Sequence, residues 1–356
     1  MNKALTPHLA FFQLIRNMKK GIIAIAFLMI LMACKSGKKI PDVSGITIEL
    51  SSSRFEQDFF QMDTANINAA MDKLLATYGD FATNFVFNIL GLPAQPDSSI
   101  AVQKGIKQFI VAYKPVYDSV QKKYPNLSTI QQEVKQGLQF VQYYFPTYKS
   151  PKQLVSFVGP IDGYSNVLTN DALVVGLQLY LGKDALFYSD DYIRSIYPEY
   201  RSRRFEPEYI SVNCMNNIVE DMYPSNYMNK PMVEQMIEAG KRLYLLDLLL
   251  PNISDTLKTG YTKTQLAGCF DNEAAIWNFF LQNDLLFTNE PSITKEYMND
   301  GPKTAALGDA SPGFIGQFVG WQIVKKWLDS HEKTTPQQLM QTPAKLIFEQ
   351  AKYKPR

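Results

Sequence analysis

The chain has 356 residues, of which 46% are hydrophobic and 13% aromatic, enough to fill the core of one large or two modest domains. Its formal charge of +2 sets 36 Lys and Arg against 34 Asp and Glu; four of the cations (Lys3, Arg16, Lys19, Lys20) precede Cys34, where no carboxylate falls, so residues 34–356 carry 32 minus 34, or −2. This near-balance excludes the clustered basic surface of a nucleic-acid binder. With only His8 and His331, the chain also cannot build a His-His zinc site, an HExxH site or a His-rich iron site.

The first element is a secretion signal. Lys19 and Lys20 form a basic start, residues 21–31 an apolar run, and Leu31-Met32-Ala33-Cys34 a lipobox with a small residue just before the cysteine. The run is shorter than the roughly 20 apolar residues of a transmembrane helix. The alternative, an ordinary signal with a chance cysteine, leaves the placing of Leu31, Ala33 and Cys34 unexplained. Residues 1–33 are therefore expected to be a lipoprotein signal peptide, with Met18 the more natural start. Cys34 is the expected lipidation site, and residues 34–44 a flexible tether through Lys35-Ser36-Gly37-Lys38-Lys39. Each acyl chain contributes about 0.8 kcal/mol per buried methylene, so a multiply acylated cysteine holds to the membrane. No aspartate or acidic cluster follows Cys34, which points to the periplasmic face of the outer membrane.

Residues 45–356 read as a single, mainly α-helical domain with a small β element, an α+β fold. Residues 46–50 alternate as a strand does, and Asp63 is placed to cap a helix over 69–78. Residues 100–123 carry Val102, Ile106, Phe109, Ile110, Tyr113 and Val116 near helical period, with Pro115 as a kink, and 131–144 form another such stretch. Residues 154–158 and 173–181 suggest a strand pair beneath helices, with Gly163 and Asn166 suited to a turn between them. Pro231 opens a helix through Leu250, Thr264 opens one over 265–283, and 314–328 form the last strong element. There Gly313, Gly316 and Gly320 share a helix face that another backbone can approach closely, for which packing is the commoner reason than a ligand groove.

Cys214 and Cys269 either bridge, as an exported pair can, or stay as buried thiols in apolar helices. His331 sits in a polar stretch and reads as a solvated helix end, and no G-x-S-x-G elbow occurs. Glu220, Asp221, Glu238, Asp247, Asp271 and Glu273 fall on expected helices. Two carboxylates facing across a cleft would suffice for glycosidase-like chemistry, but structural pairing of Glu238 and Glu273 with Lys241, Arg242 or a helix N-terminus is far commoner. Arg194, Arg201, Arg203 and Arg204, interleaved with Tyr192, Tyr197, Tyr200 and Tyr209, have the composition of a partner-binding segment. A solvated loop with snorkelling arginines is the plainer alternative.

Five separated blocks resemble the gliding-motility lipoprotein GldB family. They are Gly176-Leu177-Gln178-Leu179-Tyr180-Leu181-Gly182-Lys183-Asp184, Glu238-Ala239-Gly240-Lys241-Arg242-Leu243-Tyr244-Leu245-Leu246-Asp247 and Asn272-Glu273-Ala274-Ala275-Ile276-Trp277, then residues 312–324 and the closing Lys352-Tyr353-Lys354-Pro355. The resemblance implies an envelope lipoprotein tied to the motility apparatus and its secretion machinery, acting by protein contact with no cofactor and no small-molecule substrate. A second, distant resemblance is to a family of zinc peptidases with HExxH and a downstream glutamate. The stretch that would correspond, near Asn213 to Glu220, has no histidine, and Glu238 would stand for the third ligand. It implies a retired, zincin-like helical scaffold without catalytic or metal residues, with Glu238 and Glu273 as a vestigial cleft. The alternative function is a degenerate or metal-independent hydrolase acting on peptide or glycan in the periplasm.

Overall fold

The computed structural model describes residues 40–94 and 99–356. Cys34, the signal and most of the tether lie outside the described residues. The chain separates into Met1–Asp42 and Val43–Arg356, and every element below belongs to the latter.

Strand β1 (Ser51–Arg54) runs straight into α1 (Phe55–Phe60), so the expected strand at 46–50 forms a few residues later. Helix α2 (Ile67–Tyr78) is capped by Asn66, whose side chain accepts from the Ala69 amide. Asp63 instead accepts from the Ala65 amide in the preceding turn, 2.9 Å away, which corrects the expected cap. Gly79, at φ +53°, breaks the chain between α2 and α3 (Asp80–Asn84), a conformation open to glycine at little cost. A π-helical turn (Phe85–Ile89) follows at once. Helix α4 (Ser99–Lys123) absorbs Pro115 in its interior, and α5 (Ser128–Tyr144) starts one turn earlier than its apolar stripe suggested.

The aromatic residues of this half form one cluster. Phe85 meets Phe55 and Phe59 edge-on with centroids 4.8 Å apart, and Phe157 at 6.0 Å, all four fully buried. Edge-to-face pairs of this kind add about 0.5–1.5 kcal/mol each beyond their buried area.

Strands β2 (Gln153–Phe157), β3 (Asn166–Leu168) and β4 (Ala172–Gly176) complete a four-stranded sheet in the order β1-β2-β4-β3. Both expected strands form, but the second ends at Gly176, where a 3-10 turn (Leu177–Leu179) takes over, and β2 and β4 are parallel, with Val155 opposite Val174. The turn-forming stretch between them supplies β3, antiparallel to β4, so the two strands are not a hairpin. Because β1 and β2 are also parallel, the whole α1–α5 segment serves as the crossover such pairing demands. Strand β4 is buried throughout, and its unbroken apolar run is the pattern of a strand covered on both faces.

Helices make up the rest: α6 (Asp191–Ile196), α7 (Glu199–Ser202), α8 (Tyr209–Met222), α9 (Met232–Leu249), α10 (Asp255–Thr259), α11 (Lys263–Asp271), α12 (Glu273–Gln282), α13 (Pro291–Met298), α14 (Ile315–Asp329), α15 (Pro336–Gln341) and α16 (Ala344–Ala351). The helix expected over 265–283 is two, parted at Asn272, and its cap is Thr262 rather than Thr264, in a reciprocal capping box with Gln265. The fold is thus mainly helical with a small sheet, as periodicity indicated.

The largest helix contact is α9 on α14. A Cβ on Gly320 would lie 1.6 Å from the Met236 carbonyl oxygen, and one on Gly240 would lie 2.1 Å from the Gly320 carbonyl carbon. The two backbones touch, so the glycine stripe is a packing device. At the far end of α14, His331 stacks on Trp327 with centroids 4.2 Å apart and is half-buried, more sheltered than a solvated helix end.

Candidate functional site

Helix α8 turns one side into the core, including Ile210, Cys214, Met215 and Ile218, and leaves Asn213 and Asn216 on its open side. These two asparagines, one turn apart, line a cavity of about 320 Å³ between α8, α9 and α10. It continues into a second cavity of about 200 Å³ beneath the Arg201–Phe205 stretch, the two sharing Arg204, Tyr209, Asn213 and Asp300. Together they form a polar cleft.

Its floor is a hydrogen-bond chain. Asn213 donates to the Tyr180 hydroxyl at 2.8 Å, which donates to the Asn166 side-chain oxygen at 2.5 Å, while the Asn166 amide faces the Cys214 sulfur at 3.4 Å. Burial raises the Tyr180 phenol above its ordinary range, so it stays neutral and can donate.

Charged side chains close the walls in pairs. Arg204 bonds Asp300, which also lies 3.8 Å from Arg201. Arg203 donates to the Gly260 carbonyl at 2.9 Å and to Gln265 at 3.2 Å; burial and the neighbouring Arg204 hold its guanidinium below the usual range. Arg242 reaches Glu220 at 2.8 Å and the Tyr223 carbonyl. Burial alone would raise the Glu220 carboxyl, but two hydrogen bonds from Ser225 and the Arg242 charge outweigh it and hold it low. Lys258 bridges Asp247 at 2.6 Å and Asp255 at 2.7 Å, and Trp321 donates to Asp247 at 2.7 Å.

Of the four arginines singled out from sequence, three therefore contact their own chain, Arg201 while still exposed, and Arg194 stands exposed at the end of α6. The paired carboxylates part company. Glu238 binds Lys241 at 3.1 Å, a lysine 1% exposed that also donates to the Thr342 carbonyl, whereas Glu273 accepts from the Tyr353 hydroxyl at 2.6 Å. Among the described residues the two share no hydrogen-bond or ion-pair partner and neither lines the cleft, so in place of the expected vestigial Glu238–Glu273 cleft stand two separate structural contacts. Cys214 and Cys269 are separate buried thiols, each pushed up to about 12 chiefly by burial.

A zinc ion does not fit. The cleft face of α8 offers carboxamides where imidazoles would be needed, and α9 presents Ala239, Arg242, Leu243 and Leu246 while Glu238 points to Lys241. Among the described residues no three His, Cys, Asp or Glu side chains gather around one point. Asp300 was not singled out from sequence, while Tyr180 was noted only inside a family-resembling block and Asn166 only as a turn former. The one signal for the cleft was Asn213 and Asn216 at helical spacing on α8.

Residues 36–355 match the family model described as gliding motility protein GldB. The chain belongs to that family. No curated protein and no solved structure matches it. The cleft of this GldB-family chain offers amide, phenol and guanidinium groups, of which Asn213, Tyr180 and Arg204 are each held by a neighbouring side chain.

Proposed function

We propose that this GldB-family protein is a lipid-anchored, non-catalytic component of the cell envelope that supports gliding motility or the secretion machinery linked to it, by holding protein partners. The family match over residues 36–355 carries the proposal. The lipobox at Cys34 and the basic, acid-free tether support anchoring to the outer membrane with the body on its periplasmic face. No helix among the described residues is long and apolar enough to cross a membrane. The pairing of Glu220, Glu238, Asp247 and Asp300 with cations supports a scaffold, because a general acid or base needs a carboxyl free to exchange its proton with substrate.

The test is affinity purification of the acylated full chain from solubilised envelopes beside its Cys34→Ala form, with bound proteins identified by mass spectrometry. The expected result is recovery of motility or secretion components with the acylated form. Charge reversal at Arg194 and Arg201, the two exposed arginines, should weaken the capture. A partner-free monomer in both preparations would overturn the reading.

A further inference from the structure

A groove larger than either cavity of the cleft lies away from it, over the end of the sheet between β2, β3 and the α2–α3 break. Its volume of about 830 Å³ falls in the range of small-ligand sites, about 300–1,000 Å³. Val155 and Ala172 of the central strands form a buried apolar floor, extended by the half-buried Val167 and Leu168 of β3. Around that floor stand side chains that both donate and accept hydrogen bonds or only accept them: Asn84, Asn88, Gln153 and Asn170, with Asp80 and Asp171. Among the described residues those two aspartates are the only charged ones in the lining.

Three features set this groove apart. First, the side chains of Asp80, Gln153, Asn170 and Asp171 bond to no described residue, whereas those of the cleft are tied in pairs. Second, the wall carrying Asn84 and Asn88 is the π-helical turn and its approach. The Asn88 amide donates to the Asn84 oxygen at 2.5 Å, which leaves the Asn84 amide hydrogens and the Asn88 oxygen unused. Single π turns recur where a helix must aim side chains at a site. Third, Tyr164 stands at the rim 58% exposed, an aromatic face not spent on the core.

We infer that this groove binds an oligosaccharide of neutral or amino sugars. A sugar ring has an apolar C–H face and a periphery of hydroxyls that donate and accept together. Amides and carboxylates at the edge answer the hydroxyls, and the apolar floor and the Tyr164 ring answer the C–H face. The lone carboxylates repel an anionic chain and favour an amine-bearing one. An extended peptide adding to the sheet is the poorer occupant, because the edge strand β3 is only three residues long and templates little backbone pairing. Resting on the proposed function, such binding would let the scaffold grip the glycan layer of the envelope.

The experiment is saturation-transfer NMR on the full chain in detergent, with cellotetraose, chitotetraose and tetragalacturonate as probes and a neutral octapeptide as the competing class. Transfer to at least one of the two uncharged tetrasaccharides is expected, with none to the galacturonate. Tyr164→Ala and Asp171→Ala should each weaken the binding at least tenfold while unfolding curves stay unchanged, and Arg201→Ala, in the cleft, should bind as the parent does. Failure to bind either uncharged sugar at millimolar concentration, binding indifferent to both groove variants, or transfer to the octapeptide instead would each overturn the inference.

Discussion

The crossing of α9 on α14 and the groove over the sheet are opposite uses of the same chain. At the crossing every atom has a neighbour, and a single methylene group has nowhere to go. Over the sheet four polar side chains and a tyrosine ring stand without a partner in the fold. The polar cleft lies between the two, since its charges are oriented by one another and only its amides and phenols face open space. Side chains with complete partner sets hold the fold, and those without are where a ligand gains most.

The first way to break the comparison is to fill the crossing. Gly320→Ala drives a methyl group into the Met236 carbonyl, a backbone atom that cannot swing aside, so a loss of about 3 kcal/mol or more is expected in denaturant unfolding. Gly316→Ala is the internal control. Its nearest obstacle is the flexible Met298 thioether, so the loss should be smaller, about 1–2 kcal/mol. Equal losses would mean that the two helices slide apart freely, contrary to a backbone-on-backbone contact.

Next in size is the buried pair beside the cleft. Lys258 is 5% exposed between Asp247 and Asp255. Burial opposes its charge, but the two carboxylates outweigh burial and raise its pKa. Lys258→Met leaves Asp247 with the Trp321 hydrogen bond and the Lys325 charge in place of its bonded lysine, and a loss of about 3 kcal/mol is expected at neutral pH. The sign of the pH dependence follows from the raised pKa. The lysine's contribution is fully present below its unfolded value of about 10.4 and is lost as pH rises through the higher folded value. Parent and variant stabilities should therefore converge above about pH 10.4; a gap that widens there would contradict the pairing.

These contacts also mark what the sequence could disclose. Periodicity located most helices because a 3.6-residue stripe is written in the chain itself, and Glu238 was legible as a partner of Lys241 because they sit one turn apart. The cap of α2 was harder, since Asp63 and Asn66 are both good caps and the outcome turned on which oxygen reached the helical amides. Strand direction was not read from the sequence, although the unbroken apolar run of β4 is the pattern that parallel strands covered on both faces carry. The cleft depended on distant pairs, Arg204 with Asp300 at 96 residues and Asn213 with Tyr180 at 33. The arginine segment could be found by composition, and its engagement with its own chain could not.

Smaller effects are expected where the pairs are exposed. Asp300 is 36% exposed and shared by Arg204 and Arg201, so Asp300→Ala should cost about 0.5–1 kcal/mol, less in high salt. The same change frees both guanidinium groups toward the cleft. If the cleft holds an acidic segment of a partner, Asp300→Ala should strengthen capture while slightly weakening the fold, a combination that a purely structural bridge would not produce.

The smallest expected effect sharpens the comparison most. Asp171→Ala removes a carboxylate that bonds to no described residue, so unfolding free energy should change by no more than about 0.5 kcal/mol in either direction. At the crossing, stability and function cannot be separated, because any change that disturbs one disturbs the other. In the groove they can: a side chain that contributes nothing to folding is free to be judged on binding alone. A stability loss above about 1 kcal/mol for Asp171→Ala would show that the carboxylate serves the sheet, and the groove would then join the crossing as part of the frame.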